Sequence, residues 1–249
     1  MLMNNPETKH IAGIPVEIEY KDVKHLHLSV HPPDGDVRAV VPTATKADKV
    51  HLFVVSRLGW IRRKKREMAK QPRKPPQQYT EGESVFLWGK QYRIRLKRTA
   101  GRHTVSLSGD WLEMSIRDGT DRAGRQRVIH KFYRKELTNE IPRLSKEWEA
   151  KTGLRADEYR IKMMYTKWGS CNVDARRIWL NLELAKHSKA CLSYILLHEL
   201  LHFEERSHTA RFQALMTQHL PAWRNLRETL NNGFPGLPDL YSQGSIVRK

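Results

Sequence analysis

The stretch Tyr194-Ile195-Leu196-Leu197-His198-Glu199-Leu200-Leu201-His202 limits the possible folds of this chain more than any other. Apolar residues fall on every side of the helix it would form, so that helix has no solvent face and must lie inside a core. Yet it carries three ionisable side chains, and burial of such groups is costly unless something compensates. The fold must therefore wrap other elements around this helix and give the His-Glu-His trio a partner. On a helix, residues four apart are separated by a rise of about 6 Å and an offset of about 40°. Two imidazoles so placed can share one tetrahedral zinc ion, each at about 2.0–2.1 Å. Glu199 is turned too far to ligate but can reach a water on the metal. Zinc lowers the pKa of that water, and the carboxylate takes its proton as it attacks a carbonyl.

A catalytic zinc normally has three protein ligands and one open position. His208 is the best third candidate, because it follows His202 across a helix-breaking junction, Arg206-Ser207-His208, where the chain can turn back. Glu204 and Glu205 compete with it, and a more distant carboxylate stays open. Metzincins also have a third His at this spacing, but they need Gly where this chain has Glu205. The plain alternative is a pair of surface histidines with a solvated Glu. The surrounding Ile195, Leu196, Leu197, Leu200 and Leu201 weigh against it.

The chain has 249 residues, 45 Lys+Arg against 27 Asp+Glu, and a net charge of +18. Such a surface attracts polyanions and acidic substrates without identifying one. The two cysteines, Cys171 and Cys191, exclude a disulfide scaffold and fit a reducing compartment. Met1–Gly13 has no secretory pattern, and the apolar runs Leu52–Val55 and Ile195–Leu201 are too short to span a bilayer. The expectation is a cytoplasmic protein without a membrane partner.

Along the chain, His10–Tyr20, Lys24–His31 and Val37–Val41 alternate like strands of a small antiparallel sheet around a turn at Pro32–Asp36. Thr45 offers a cap for a helix running through Val50, Phe53, Val54, Leu58 and Ile61. A basic tract, Arg62–Arg66 with Lys70, Arg73 and Lys74, and the breakers Pro72, Pro75 and Pro76 follow. Phe86–Trp88, Tyr92–Leu96, Val105–Leu107 and Trp111–Ile116 read as further strands. An amphipathic helix runs from Gly124 to Gly153, with Pro142 expected to kink or restart it. A strand with Tyr159, Ile161 and Met163 precedes a tight Trp168–Cys171 segment and a strand at Ile178–Leu182. Helices over Lys189–Arg206 and Thr209–Leu230, the second bent at Pro221, lead to an irregular tail. No internal repeat is visible.

Trp168-Gly169-Ser170-Cys171, Leu180-Asn181, Tyr194 through His202, His208 and Phe212 together resemble the YgjP-like metallopeptidase family, a zincin family related to SprT-like zinc domains. The N-terminal part is similar too, in Asp34-Gly35-Asp36-Val37, Val41-Pro42, Trp60-Ile61 and Tyr79 through Gly89, so the resemblance runs from about His10 to Leu230. One departure is Ser207, where the family often has Asn. The resemblance implies zinc ligands His198, His202 and His208, with Glu199 as base. It also implies peptidase activity, and some members accompany restriction-modification loci.

These readings give an α+β chain: an N-terminal antiparallel β-rich region with one helix over 9–121, a zincin-like region over 122–234 and an irregular tail over 235–249. The expected function is a zinc-dependent metalloendopeptidase acting on a protein or peptide. The alternative is a nucleic-acid-associated module, linked to restriction-modification or to processing of DNA-bound proteins, with Arg62, Arg63, Lys64 and Lys65 meeting phosphates. Trp168–Cys171 could line a peptide groove through an exposed strand edge or simply form a tight turn. Asn181 could bond the active-site helix. Tyr165 or Tyr194 could face an oxyanion, and a core role is the commoner one for each. Cys171 reads as a small core residue, and His25, His27, His31 and His51 as strand or helix surface.

Overall fold

Alternation of Val and Ile with polar residues builds the first sheet, and the period of two decides which side chains it buries. The computed structural model describes residues 6–31, 35–69, 77–164 and 167–232. The turn residues Pro32, Pro33 and Asp34, the cluster Lys70 to Pro76, Tyr165 and the tail 233–249 lie outside the described residues. The chain divides into two compact units, Met1–Lys74 and Pro75–Lys249.

In the first unit β1 (Glu7–Ile11), β2 (Ile14–Lys21), β3 (His27–His31) and β4 (Asp36–Pro42) form a sheet in the order β1-β2-β4-β3. β1 and β2 are joined by Ala12-Gly13, both at positive φ (48° and 78°), the conformation of a tight hairpin turn. The sheet is mixed, where the sequence suggested an antiparallel one: β4 runs antiparallel to β3 but parallel to β2, with Val16 opposite Val37. The reason is burial. Val37, Ala39 and Val41 of β4 are almost fully covered, and the central position gives them neighbours on both sides. The single expected helix is two, α1 (Ala47–Val55) and α2 (Leu58–Ala69). They break where Ser56 turns its hydroxyl onto the Phe53 carbonyl (2.9 Å). Lys46, not Thr45, occupies the cap position of α1.

The second unit begins with β5 (Ser84–Leu87), β6 (Lys90–Arg98), β7 (Thr104–Ser108) and β8 (Trp111–Ile116), in the order β5-β6-β8-β7. This repeats the topology of the first sheet, down to a hairpin turn at positive φ in Trp88-Gly89 and a parallel central pair, although the two sequences show no repeat. α3 (Arg122–Thr152) starts with Asp121 accepting the Gly124 amide (2.7 Å) and ends at Gly153, φ 72°. Pro142 lies inside it without dividing it. β9 (Glu158–Lys162), β10 (Gly169–Asn172) and β11 (Arg177–Asn181) form a third sheet, β10-β11-β9, with β11 parallel to β9. A 3₁₀ turn, Leu182–Lys186, leads to α4 (Lys189–Leu201), then α5 (Ala210–His219) and α6 (Trp223–Asn232).

One core joins the sheet of β5–β8 to α3, the third sheet and the three last helices. The unit boundary at Lys74 thus falls earlier than the division at 121/122 read from the sequence, because Ile94, Leu112 and Met114 pack in the same core as Ile129 and Tyr133 of α3. At its centre is α4, buried on all sides from Cys191 onward except at Ser193. Leu192, Ile195, Leu196, Leu197, Leu200 and Leu201 are fully covered, each contributing about 1.5–3 kcal/mol.

Candidate metal centre

α4 ends at Leu201, short of the Arg206 expected, and His202 is its C-cap. The chain tightens there, with the Phe203 amide on the Leu200 carbonyl (3.0 Å) and the Glu205 amide on that of Leu201 (2.9 Å). Thr209 then caps α5 through the Phe212 amide (3.3 Å), which fixes where His208 leaves the turn. The reversal brings together His198, His202 and His208, whose ligand atoms all lie within 4.8 Å of one another. Their ring centroids are 4.8–5.0 Å apart. Phe212 forms a floor, stacked on His202 and edge-on to His198 and His208, each at 4.9 Å.

This is the only such cluster among the described residues. Glu204 and Glu205, the competing ligands, are engaged elsewhere: Glu204 pairs with Arg211 (2.7 Å), and the Glu205 carboxylate accepts the Ser207 amide (3.2 Å). Glu205 contributes through its backbone instead, its carbonyl accepting a hydrogen bond from Nδ1 of His202 (3.1 Å). That bond leaves the lone pair of His202 on Nε2, the pattern by which ligand imidazoles are commonly oriented. Nε2 of His198 and Nε2 of His208 are 2.9 Å apart, so at most one hydrogen fits between them, and a shared cation satisfies both lone pairs. Burial first, then mutual repulsion with the other rings, holds His198 and His208 deprotonated, His208 near a pKa of about 4. Burial lowers His202 as well. Three neutral, convergent imidazoles are the donor set of a metal of the zinc kind.

Glu199 is 3% exposed, and burial pushes its carboxyl up to about 8, against lowering by the charge of Lys167 and by the Cys171 backbone amide. Its side chain lies against the backbone of β10. A Cβ on Gly169 would stand 2.5 Å from Glu199 Oε1 and 2.7 Å from its Cγ. Gly169 is thus a requirement of the site that the reading of Trp168–Cys171 as a tight segment missed. The available signal was a glycine inside a strand, which often marks close approach. From Gly169 onward the segment is strand β10, an edge of its sheet.

Asn181 is fully buried, but it does not bond α4. Its side chain donates to the carbonyls of Met164 and Lys167 (2.8 Å each) and accepts the amides of Met164 (3.3 Å) and Glu183 (3.1 Å). It therefore ties down both described ends of the connection that leads into β10. Trp168 is fully buried with its ring edge-on to His187 (4.9 Å). Tyr194 is buried against Trp223, its hydroxyl pKa raised by that burial. Cys171 is half-buried, its thiol pushed up to about 12 by burial and the nearby Glu199 carboxylate.

In the first unit, α2 carries Arg62, Arg63, Lys64 and Lys65. Lys64 and Arg63 reach Glu67 (2.9 and 3.8 Å), and the Lys65 stem lies against Gly35. Only part of the tract is thus open to a polyanion. Among the described residues no helix is long and apolar enough to cross a membrane.

The class of protein that this arrangement suggests, a metal-dependent peptidase, agrees with the family comparison. The family model described as YgjP-like, metallopeptidase domain, matches residues 24–233, and the chain belongs to that family. A solved structure entitled the metallopeptidase zymogen of Pyrococcus abyssi abylysin is similar at 16% identity, covering 38% of this chain and 94% of that one, with a TM-score of 0.36. No curated protein matches.

Proposed function

We propose that this metallopeptidase is a zinc-dependent endopeptidase in which His198, His202 and His208 hold the ion and Glu199 is the general base. The observation that supports this most is the meeting of three buried imidazoles beside one buried carboxylate that packs on a strand edge. When bound, zinc supplies Lewis acidity, making both water and a carbonyl oxygen more electron-poor. The chain's own groups do the rest. Glu199, its carboxyl poised high by burial, lies in the field of Lys167 and, with the cation present, is held as the carboxylate. Its Oε atoms accept a proton from the attacking water and return it to the leaving amine, so one group serves as base and then acid. The edge of β10, apart from the Cys171 amide that Glu199 takes, supplies backbone groups with which an extended peptide can pair, setting its scissile bond beside Glu199.

Metal content and peptide hydrolysis of the purified protein test this reading. Glu199→Gln should keep its zinc and lose about 10²–10⁴-fold in kcat, while His202→Ala should lose zinc. Full zinc occupancy in His202→Ala rejects the ligand set, and undiminished hydrolysis by Glu199→Gln rejects the base.

A further inference from the structure

A groove that shares no residue with His198, His202 and His208 lies between edge strand β7 and the first half of α3. Its volume is about 670 Å³, with Arg102 and Arg117 on the strand side and Arg127, Lys131 and Lys135 on the helix side. No carboxylate lines it among the described residues. The three helix cations follow a spacing of four residues, so they stand about 6 Å apart in a row along one face. All three are exposed, and none has an ion-pair partner among the described residues. Arg117 is held in place, its Nε donating to the Gly101 carbonyl (3.1 Å) and its amide to Nε2 of His103 (3.4 Å). Between the two banks lie the half-buried Phe132, Val105 and Val128.

Cations on two facing walls repel one another and are left without anions by the protein itself, so the groove is electrostatically incomplete. We propose that it binds single-stranded nucleic acid, with the phosphodiester backbone along the Arg127–Lys131–Lys135 row and bases on Phe132 and its apolar neighbours. A positive groove with an aromatic floor is how sequence-tolerant single-strand binders work. A duplex is convex and asks for a protruding element or a flat face, whereas a cleft of this size admits one strand. The net charge of +18 adds long-range attraction but no location, and the groove supplies the location.

Fluorescence anisotropy with a labelled 20-nucleotide oligothymidylate and the full chain tests this. Arg127→Glu/Lys131→Glu/Lys135→Glu should raise Kd at least tenfold and lower the log–log salt slope by about 2, three single-strand contacts at about 0.7 each. Lys131→Glu alone, a single change at an exposed helix position, should lower the slope by about 0.7. The charge-matched Arg62→Glu/Arg63→Glu/Lys65→Glu protein should keep the wild-type slope. The proposal is overturned if the α3 changes leave binding intact or if the α2 changes weaken it as much. It also falls if a duplex of equal length binds more tightly, or if polyglutamate displaces the oligonucleotide as well as unlabelled oligothymidylate does.

Discussion

Among single residues, Gly169 makes the sharpest demand. Any side chain there collides with Glu199, so Gly169→Ala must move the carboxylate or the strand. The expected result is a loss of about 1–3 kcal/mol in stability by denaturant unfolding, as for other overpacked sites, with hydrolysis reduced and zinc retained. Combining it with Glu199→Ala, which removes every Glu199 atom the new Cβ would meet, should restore the unfolding midpoint but not the activity. His187 gives a pH test away from the histidine triad. Burial, with a smaller contribution from Lys186, lowers its imidazole to about 4. A depressed histidine adds stability that is complete above its unfolded pKa of about 6.5 and is lost as pH falls through about 4, because the unfolded chain takes the proton first. Between pH 7 and pH 5 that loss is about 2 kcal/mol. His187→Phe, which keeps a ring against Trp168, should remove that part of the decline when urea unfolding of the zinc-loaded protein is compared at the two pH values.

At the scale of elements, the site depends on how segments end. α4 is capped by His202 and α5 by Thr209, so the short turn between the two caps sets the third imidazole. Asn181 does the same for the connection into β10. Asn181→Ala strands backbone groups of Met164 and Lys167, at about 1–3 kcal/mol for each one left buried without a partner. It should lower thermal stability and raise KM, with zinc content unchanged, because the connection it holds leads to the strand edge and not to the ligands. α3 carries the same logic at its N-terminus. Asp121→Ala removes its cap and should cost about 1 kcal/mol in denaturant unfolding without touching the metal.

For the whole molecule, the division into two units is the main fact. Pro75–Lys249 holds one continuous core and all three histidines. A fragment of these residues should therefore unfold cooperatively and bind zinc with the same stoichiometry as the full chain. Non-cooperative melting, or loss of the metal, would show that the first unit completes the second. The two four-stranded sheets share a topology without sharing a sequence pattern: β6 is central although mostly polar and basic, while the more apolar β5 lies at an edge.

The sequence alone pointed to the candidate centre. An apolar helix carrying His198, Glu199 and His202 has to be buried, and its polar side chains then need partners, so local spacing and elementary solvation single out these residues as the candidate centre. It also indicated most strands, because alternation is a local property. Tertiary structure decided the rest. Glu204 and Glu205 dropped out as ligands only when the turn gave them other partners, and the need for Gly169 appeared only when Glu199 was placed against it. The parallel central strands, the groove beside α3 and the boundary at Lys74 are likewise contacts between residues distant in the chain. No local pattern encodes such contacts, because each depends on which surfaces the whole core leaves available.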